Sequence, residues 1–116
     1  LLLSFQISAG AASFQEIQQA AEEGEAWAQF NLGYSYESGA GVTKDLVQAI
    51  KWYTKAAEQG VSESQFNLGL MYYKGEGVTM NKIEAFNWWM KAAKRGHVDA
   101  QKNLDILCKE SPWACK

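Results

Sequence analysis

The chain has 116 residues, of which 47% are hydrophobic and 21% are charged, and it contains a single proline. These values favour one globular domain and exclude an intrinsically disordered chain. A net charge of -2, without a block of lysine or arginine, argues against nucleic-acid binding and against attachment to an anionic membrane surface.

Residues 1–12 form an apolar segment that ends in small residues. The run Leu1 to Ile7, followed by Ala9-Gly10-Ala11, is typical of the end of a signal peptide with an A-x-A-like cleavage site, although the usual basic region is missing. We therefore predict a signal-peptide remnant, a periplasmic or secreted protein, and no membrane insertion after maturation, since the run is too short to span a bilayer. The alternative for this segment is an ordinary apolar helix that covers one end of the fold, and the alternative location is the cytoplasm.

From residue 13 onward the sequence is an internal repeat. Residues 25–60 and 61–96 align without a gap and share 16 of 36 positions, far above chance, so the two segments are a duplication. Shorter matches extend the pattern at both ends. The predicted domain at 13–116 comprises a capping helix (13–24), repeat 1 (25–60), repeat 2 (61–96) and a partial repeat with a cysteine-bearing cap (97–116).

Each repeat is predicted to contain two helices. In chain order, the predicted helices cover about 13–23, 26–37, 45–59, 62–73, the segment from Asn81 to Gly96, and 98–108. Asp45 with Gln48, and Asn81 with Glu84, have the spacing of a capping box, in which two side chains satisfy backbone N–H groups of the first turn. Glycines are then expected to end the second helices at 60 and 96.

Two further glycines, Gly33 and Gly69, lie inside predicted helices, where a glycine costs about 1 kcal/mol relative to alanine. Their recurrence indicates that another helix approaches closely at that point. Stacked hairpins bury a continuous core, so we predict an all-α fold, a right-handed α-solenoid with a concave and a convex face. Two full repeats are marginal, and the flanking helices or a homodimer would supply the remaining burial.

The repeated segments resemble the Sel1-like repeat family, a relative of the tetratricopeptide repeats. The resemblance rests on the segment 28–33, the Gly-x-Gly-Val loops at 39–42 and 75–78, and the Trp-x-x-Lys-Ala-Ala-x-x-Gly segments at 52–60 and 88–96. The chain departs from the family pattern at Thr43 and Thr79, where proline is common, and at Lys102 and Asp105, where the third unit lacks its Phe and Gly.

The resemblance implies a protein-interaction scaffold, an adaptor that holds a protein or peptide in its concave groove. It also allows an inhibitor or immunity protein against an envelope-acting toxin or enzyme, because some periplasmic members look like immunity proteins. A β-lactam-binding or hydrolysing protein, a role linked to some cysteine-rich members, is disfavoured because the chain has no Ser-x-x-Lys and no Lys-Thr-Gly motif.

The sequence offers no arrangement that suits catalysis or metal binding. His97, the single histidine, is predicted to be a solvated turn residue at a helix start. Glu22 and Glu23 are neighbours on a helix and point about 100° apart, which does not suit paired acid–base carboxylates. Cys108 and Cys115 have only the distant His97 as a further zinc ligand. We therefore expect no enzyme, no catalytic residue, no metal and no cofactor.

The first helix of each hairpin is expected to line the concave face with two stripes. One stripe recurs in kind between the repeats and suits helix packing: Ala28, Leu32, Gly33 and Tyr36, then Ser64, Leu68, Gly69 and Tyr72. The other stripe varies between repeats, as a ligand-reading surface would, and it contains aromatic residues of the kind found at interface hot spots. We predict a protein-binding site formed by Trp27, Phe30, Tyr34, Phe66 and Leu70. The alternative is that these side chains pack against neighbouring helices.

The tail carries both cysteines of the chain, Cys108 and Cys115. Pro112 should end the preceding helix. In an oxidising compartment we predict a Cys108–Cys115 disulfide that pins Trp113 over the last hairpin, whereas a cytosolic protein would keep two unpaired thiols.

Overall fold

The computed structural model describes residues 12–116, so all but the last residue of the predicted signal remnant at 1–12 lies outside the described residues. Within 12–116 the chain is all-helical, without a strand. The helices are α1 (Phe14–Glu22), α2 (Ala26–Ser38), α3 (Leu46–Glu58), α4 (Ser62–Lys74), α5 (Lys82–Lys94) and α6 (Val98–Glu110), followed by a 3-10 helix (Pro112–Cys115). These bounds confirm the predicted spans to within two residues.

Consecutive helices pack against each other along the whole described chain. The tightest pairs are α2 with α3 and α4 with α5, which are the two hairpins of the duplication. The helices α1 and α6 cover the outer faces of these hairpins. The result is the predicted α-solenoid, elongated to 60 × 27 × 20 Å. None of the helices within 12–116 is long and apolar enough to cross a membrane.

The core consists of small and branched residues from the first helices and rings from the second helices. The stripe that was predicted for packing is confirmed, since Ala28, Leu32, Ser64 and Leu68 are fully buried. Trp52 and Trp89 are buried, but Trp88 is only half-buried, with the Lys91 ammonium 4.7 Å from its ring centroid. Because a long lysine stem covers the indole, Trp88 belongs to the edge of the core.

The two mid-helix glycines mark the closest approach within each hairpin. A Cβ on Gly33 would lie 2.6 Å from Cδ1 of Tyr53, and a Cβ on Gly69 would collide with the indole of Trp89. Tyr53 and Trp89 occupy the same repeat position on α3 and α5. The predicted close approach is therefore confirmed: a glycine is needed because an aromatic ring lies directly on the helix backbone.

The helix caps correct one detail of the sequence analysis. Asp45 accepts from the backbone N–H groups at 47 and 48, and Asn81 accepts from the one at 84, as predicted. The reciprocal half of each capping box is wrong, because the N–H groups of Asp45 and Asn81 donate to the carbonyls of Tyr36 and Tyr72, both at 2.8 Å. These bonds fasten each interhelix loop to the first helix of its own hairpin.

The C-terminal cap contains the predicted disulfide between Cys108 and Cys115. Helix α6 ends two residues before Pro112, also as predicted. The predicted place of Trp113 is wrong, because its side chain is 60% exposed, while Ala114 beside it is buried. The short 3-10 turn directs only one of two adjacent side chains toward the core, and the small Ala114 takes that place.

Candidate functional site

A groove of about 170 Å³ runs between the first helix of repeat 2 and the helix that follows the repeat. Its walls are formed by α4 and α6, and its floor is the indole of Trp89 from α5. The lining is largely apolar, with one cation at the rim: Leu70, Tyr73, Lys74, Trp89, Asn103 and Ile106. Both walls are thus first helices, the helices that the sequence analysis expects to carry the binding surface.

Three apolar side chains occupy one repeat position along this side, and we call Tyr34, Leu70 and Ile106 the groove stripe. Leu70 and Ile106 line the groove, and Tyr34 is 54% exposed on α2. Trp27, about two helix turns before Tyr34, is 51% exposed. Large apolar side chains that remain this accessible are available as anchors for a partner.

The two predicted phenylalanines occupy contacts within the fold. Phe30 is half-buried and its ring centroid lies 5.8 Å from that of Tyr53. Phe66 is half-buried and stacks on His97 at 4.6 Å. The structure thus brings Leu70 into the groove and leaves Trp27 and Tyr34 exposed, whereas both phenylalanines pack against neighbouring elements.

Polar groups at the groove, and the Tyr53 hydroxyl at the equivalent position of repeat 1, are largely satisfied from within the protein. The hydroxyl of Tyr53 donates to Glu37 at 2.6 Å, the hydroxyl of Tyr73 donates to Glu110 at 2.9 Å, and the indole N–H of Trp89 donates to a backbone carbonyl. Burial, aided by Glu37, raises the pKa of Tyr53, and the hydrogen bond to Glu110 raises the pKa of Tyr73. Both phenols therefore stay neutral, and recognition in the groove falls mainly to apolar side chains.

His97 differs from its predicted role as a solvated residue. Its side chain is only 12% exposed, because it lies between two repeats and stacks on Phe66. Nδ1 accepts from the backbone N–H of Ala100, so His97 does cap α6, and Nε2 hydrogen-bonds the carboxylate of Glu63. Both ring nitrogens are thus engaged: Nδ1 caps α6, and Nε2 joins α6 to α4 of repeat 2.

Tyr73, Trp89 and Asn103 line the groove but were missed as site residues in the sequence. Trp89 is a buried core residue, yet it also lines the groove. The repeat register was the signal that could have identified Trp89. Tyr53 and Trp89 each follow the tryptophan of the repeat motif by one residue, so they occupy the same position in the two repeats. Within 12–116, no group of three or more His, Cys, Asp or Glu side chains is placed to hold a metal ion.

Comparison with known proteins relates the two repeats to one family. Residues 28–61 and 62–97 each match the model of the Sel1 repeat. A 46-residue stretch is 46% identical to the secretory immunoglobulin A-binding protein EsiB of Escherichia coli O6:H1. The matched stretch covers 40% of this chain and only 9% of EsiB.

Solved structures of similar fold come from three bacteria. A Sel1 repeat protein from Oxalobacter formigenes superposes with a TM-score of 0.78 at 42% identity, over 80% of this chain and 37% of that one. A protective antigen of uropathogenic Escherichia coli with an SLR fold superposes with a TM-score of 0.82 at 44% identity, and the match covers 86% of this chain and 21% of the antigen. Cysteine-rich protein B of Helicobacter pylori superposes with a TM-score of 0.74 at 34% identity, and the match covers 78% of this chain and 68% of that protein. The chain therefore spans well under half of the first two proteins.

Proposed function

The chain belongs to the Sel1 repeat family, whose members are generally protein-interaction scaffolds, and we propose that it is an adaptor that binds a protein or peptide along its concave groove. The family fold is typically a non-catalytic scaffold. The observation that carries the proposal is the groove stripe, a row of accessible apolar side chains at one repeat position of α2, α4 and α6, the first helices of three successive units.

The chemistry of the groove indicates how a partner would be held. An apolar side chain of the partner would lie on the Trp89 floor between Leu70 and Ile106, where it loses contact with water. Trp27 and Tyr34 would extend the contact along α2. Aromatic residues that become buried at an interface supply a large share of its binding energy, so these two side chains are the proposed hot spots.

The first partner to test follows from a relative. The name of EsiB states that it binds secretory immunoglobulin A. Since this chain matches 9% of EsiB, immunoglobulin binding enters here only as a proposal for the probe. The same groove suits other extended or helical segments with an apolar anchor.

We further propose that the protein acts in the periplasm or outside the cell. The Cys108–Cys115 disulfide supports this location, because such bonds persist in oxidising compartments and are rare in the cytosol. The name of a secretory immunoglobulin-binding relative supports it as well.

The test is affinity capture with immobilised protein, first with secretory immunoglobulin A and then with envelope extract. A Trp27→Ser/Tyr34→Ser variant is compared with the wild type. A Val47→Ser/Ile83→Ser variant serves as control, because these residues are also exposed and apolar but lie on the second helices. Circular dichroism verifies that both variants keep the wild-type helicity.

We expect a partner that the wild type and the control variant retain and that the Trp27/Tyr34 variant loses, by about tenfold or more in affinity. Loss of the partner from the control variant alone would place binding on the second helices. Equal retention by all three proteins would contradict Trp27 and Tyr34 as the proposed hot spots.

A further inference from the structure

A second cleft, of about 450 Å³, lies at the junction of the two repeats, where α3 and α5 end and α4 begins. It shares no lining residue with the groove. Its lining includes Gln65 from α4 and three cations at the end of α5, namely Lys91, Lys94 and the C-cap residue Arg95. The duplication provides an internal control, because repeat 1 has the same position with different residues.

In repeat 1 the glutamine at this position is fully hydrogen-bonded. The amide of the buried Gln29 donates to the carbonyl of Ala21 at 3.2 Å. The amide of Gln59 donates to Oε1 of Gln29 at 2.8 Å and to the carbonyl of Gly24 at 3.0 Å. Both polar atoms of the buried glutamine are therefore paired, as buried polar groups generally are.

In repeat 2 the same glutamine keeps only half of this arrangement. The amide of Gln65 donates to the carbonyl of Ala57 at 3.1 Å, which repeats the bond of Gln29. Arg95 stands at the repeat position of Gln59, and its guanidinium lies against Gly60. Oε1 of Gln65 has no hydrogen-bond partner, although the residue is only 4% exposed. Repeat 2 thus lacks the hydrogen bond that Gln59 makes to Gln29 in repeat 1. It has instead the cation Arg95 and an unpaired acceptor, Oε1 of Gln65.

The charge around the cleft changes sign with the same exchange. Repeat 1 has three carboxylates and one lysine at these positions: Glu22, Glu23, Glu58 and Lys55. Repeat 2 has one carboxylate and three cations: Glu58, Lys91, Lys94 and Arg95. Cations in the last turn of α5 also complement the helix dipole. The dipole does not account for the unpaired oxygen of Gln65, and this oxygen points to a ligand.

We propose that this cleft binds a carboxylate of a polypeptide, either an acidic side chain or a C-terminus. Arg95 and Lys94 hold the carboxylate, for which a guanidinium offers a planar pair of donors. When Arg95 leaves Gly60 to meet the carboxylate, an adjacent backbone N–H of the ligand donates to Oε1 of Gln65. The site is independent of the groove, so either one can bind its ligand without the other.

The test follows the ¹⁵N-labelled full chain by NMR during titration with three short peptides. Acetyl-pentaglycine with a free carboxylate probes a C-terminus, acetyl-Gly-Glu-Gly-amide probes a side chain, and acetyl-pentaglycine-amide carries no carboxylate. We expect the side-chain amide of Gln65 to shift with a carboxylate peptide and to stay unchanged with the amide peptide. The carboxylate peptide that binds more tightly identifies the source of the group.

The decisive variant is Arg95→Gln, which restores the residue of repeat 1. It should weaken carboxylate binding about tenfold or more, because a charge-assisted bidentate contact is removed. It should also raise Tm by about 4 °C, because the new glutamine can donate to Oε1 of Gln65 as Gln59 does to Gln29. Lys44→Gln makes the same charge change on the loop before α3 and should leave both values unchanged.

Three results would overturn the proposal. The first is that no carboxylate peptide shifts the Gln65 amide, and the second is that Lys44→Gln weakens binding as much as Arg95→Gln. The third is an Arg95→Gln variant with the affinity and the Tm of the wild type. None of these results depends on the groove, so they remain distinct from the outcome of the capture experiment.

Discussion

At the residue scale, the repeat allows each side chain to be compared with its counterparts in a nearly identical environment. Ser64 stands at the position of Ala28 and Ala100, and all three are fully buried. The hydroxyl of Ser64 has no hydrogen-bond partner. A buried hydroxyl without a partner retains the cost of leaving water, so the serine weakens the core relative to the alanine of the neighbouring units.

Replacement of Ser64 with alanine should therefore stabilise the protein. We expect the free energy of unfolding to rise by about 1 kcal/mol, because the unpaired hydroxyl is removed and the methyl group fits the site that Ala28 and Ala100 fill. Urea denaturation followed by circular dichroism measures the change. The matched control is Ala28→Ser, which should lower the free energy of unfolding by a similar amount. A destabilised Ser64→Ala variant would mean that the hydroxyl has a partner in solution.

At the element scale, the C-terminal 3-10 helix replaces the loop that connects the two helices in each full repeat. Ser111 and Ala114 stand at the repeat positions of Gly75 and Val78 and are buried. Lys82 at the start of α5 donates to the hydroxyl of Ser111 at 3.0 Å. Because no second helix follows α6 among the described residues, the disulfide to Cys115 holds this turn in place.

The disulfide is expected to be both present in the isolated protein and important for its stability. Intact-mass measurement after alkylation should detect no free thiol without a reductant and two after reduction. A Cys108→Ser/Cys115→Ser variant should unfold with a free energy lowered by about 2–3 kcal/mol, because the closed loop restricts the unfolded chain. Val47→Ser, on a surface away from the tail, is the control for denaturation. Two free thiols in protein isolated from its native source would contradict the proposed oxidising compartment.

At the scale of the whole molecule, the solenoid separates two surfaces with different chemistry. The groove between first helices is mainly apolar, and the junction cleft is cationic. The outer face of α6 is polar, since Gln101, Lys102 and Asp105 are exposed where α2 and α4 carry buried or half-buried residues. Asp105 of α6 stands at the repeat position of Gly33 and Gly69. Those glycines lie under an aromatic ring, and within 12–116 this face of α6 carries no such ring, so an aspartate is compatible with the position.

Much of this architecture could be predicted from the sequence because the duplication repeats its own signals. Local spacing predicts the helix caps at Asp45 and Asn81. Recurrence at the repeat period predicts the close approach at the two mid-helix glycines, Gly33 and Gly69. The burial of His97 and the exposure of Trp113 could not be predicted, since both depend on which neighbouring element reaches the side chain. The unpaired oxygen of Gln65 required the hydrogen-bond geometry of both repeats.

The central claim is that a protein partner lies along the concave groove, and site-specific photo-crosslinking tests it most directly. A benzophenone amino acid is placed at position 34 or 106 in the groove stripe, and at position 47 on α3 as control. The account predicts covalent adducts with the captured partner from positions 34 and 106 and none from position 47. Adducts from position 47, with none from the groove stripe, would contradict it.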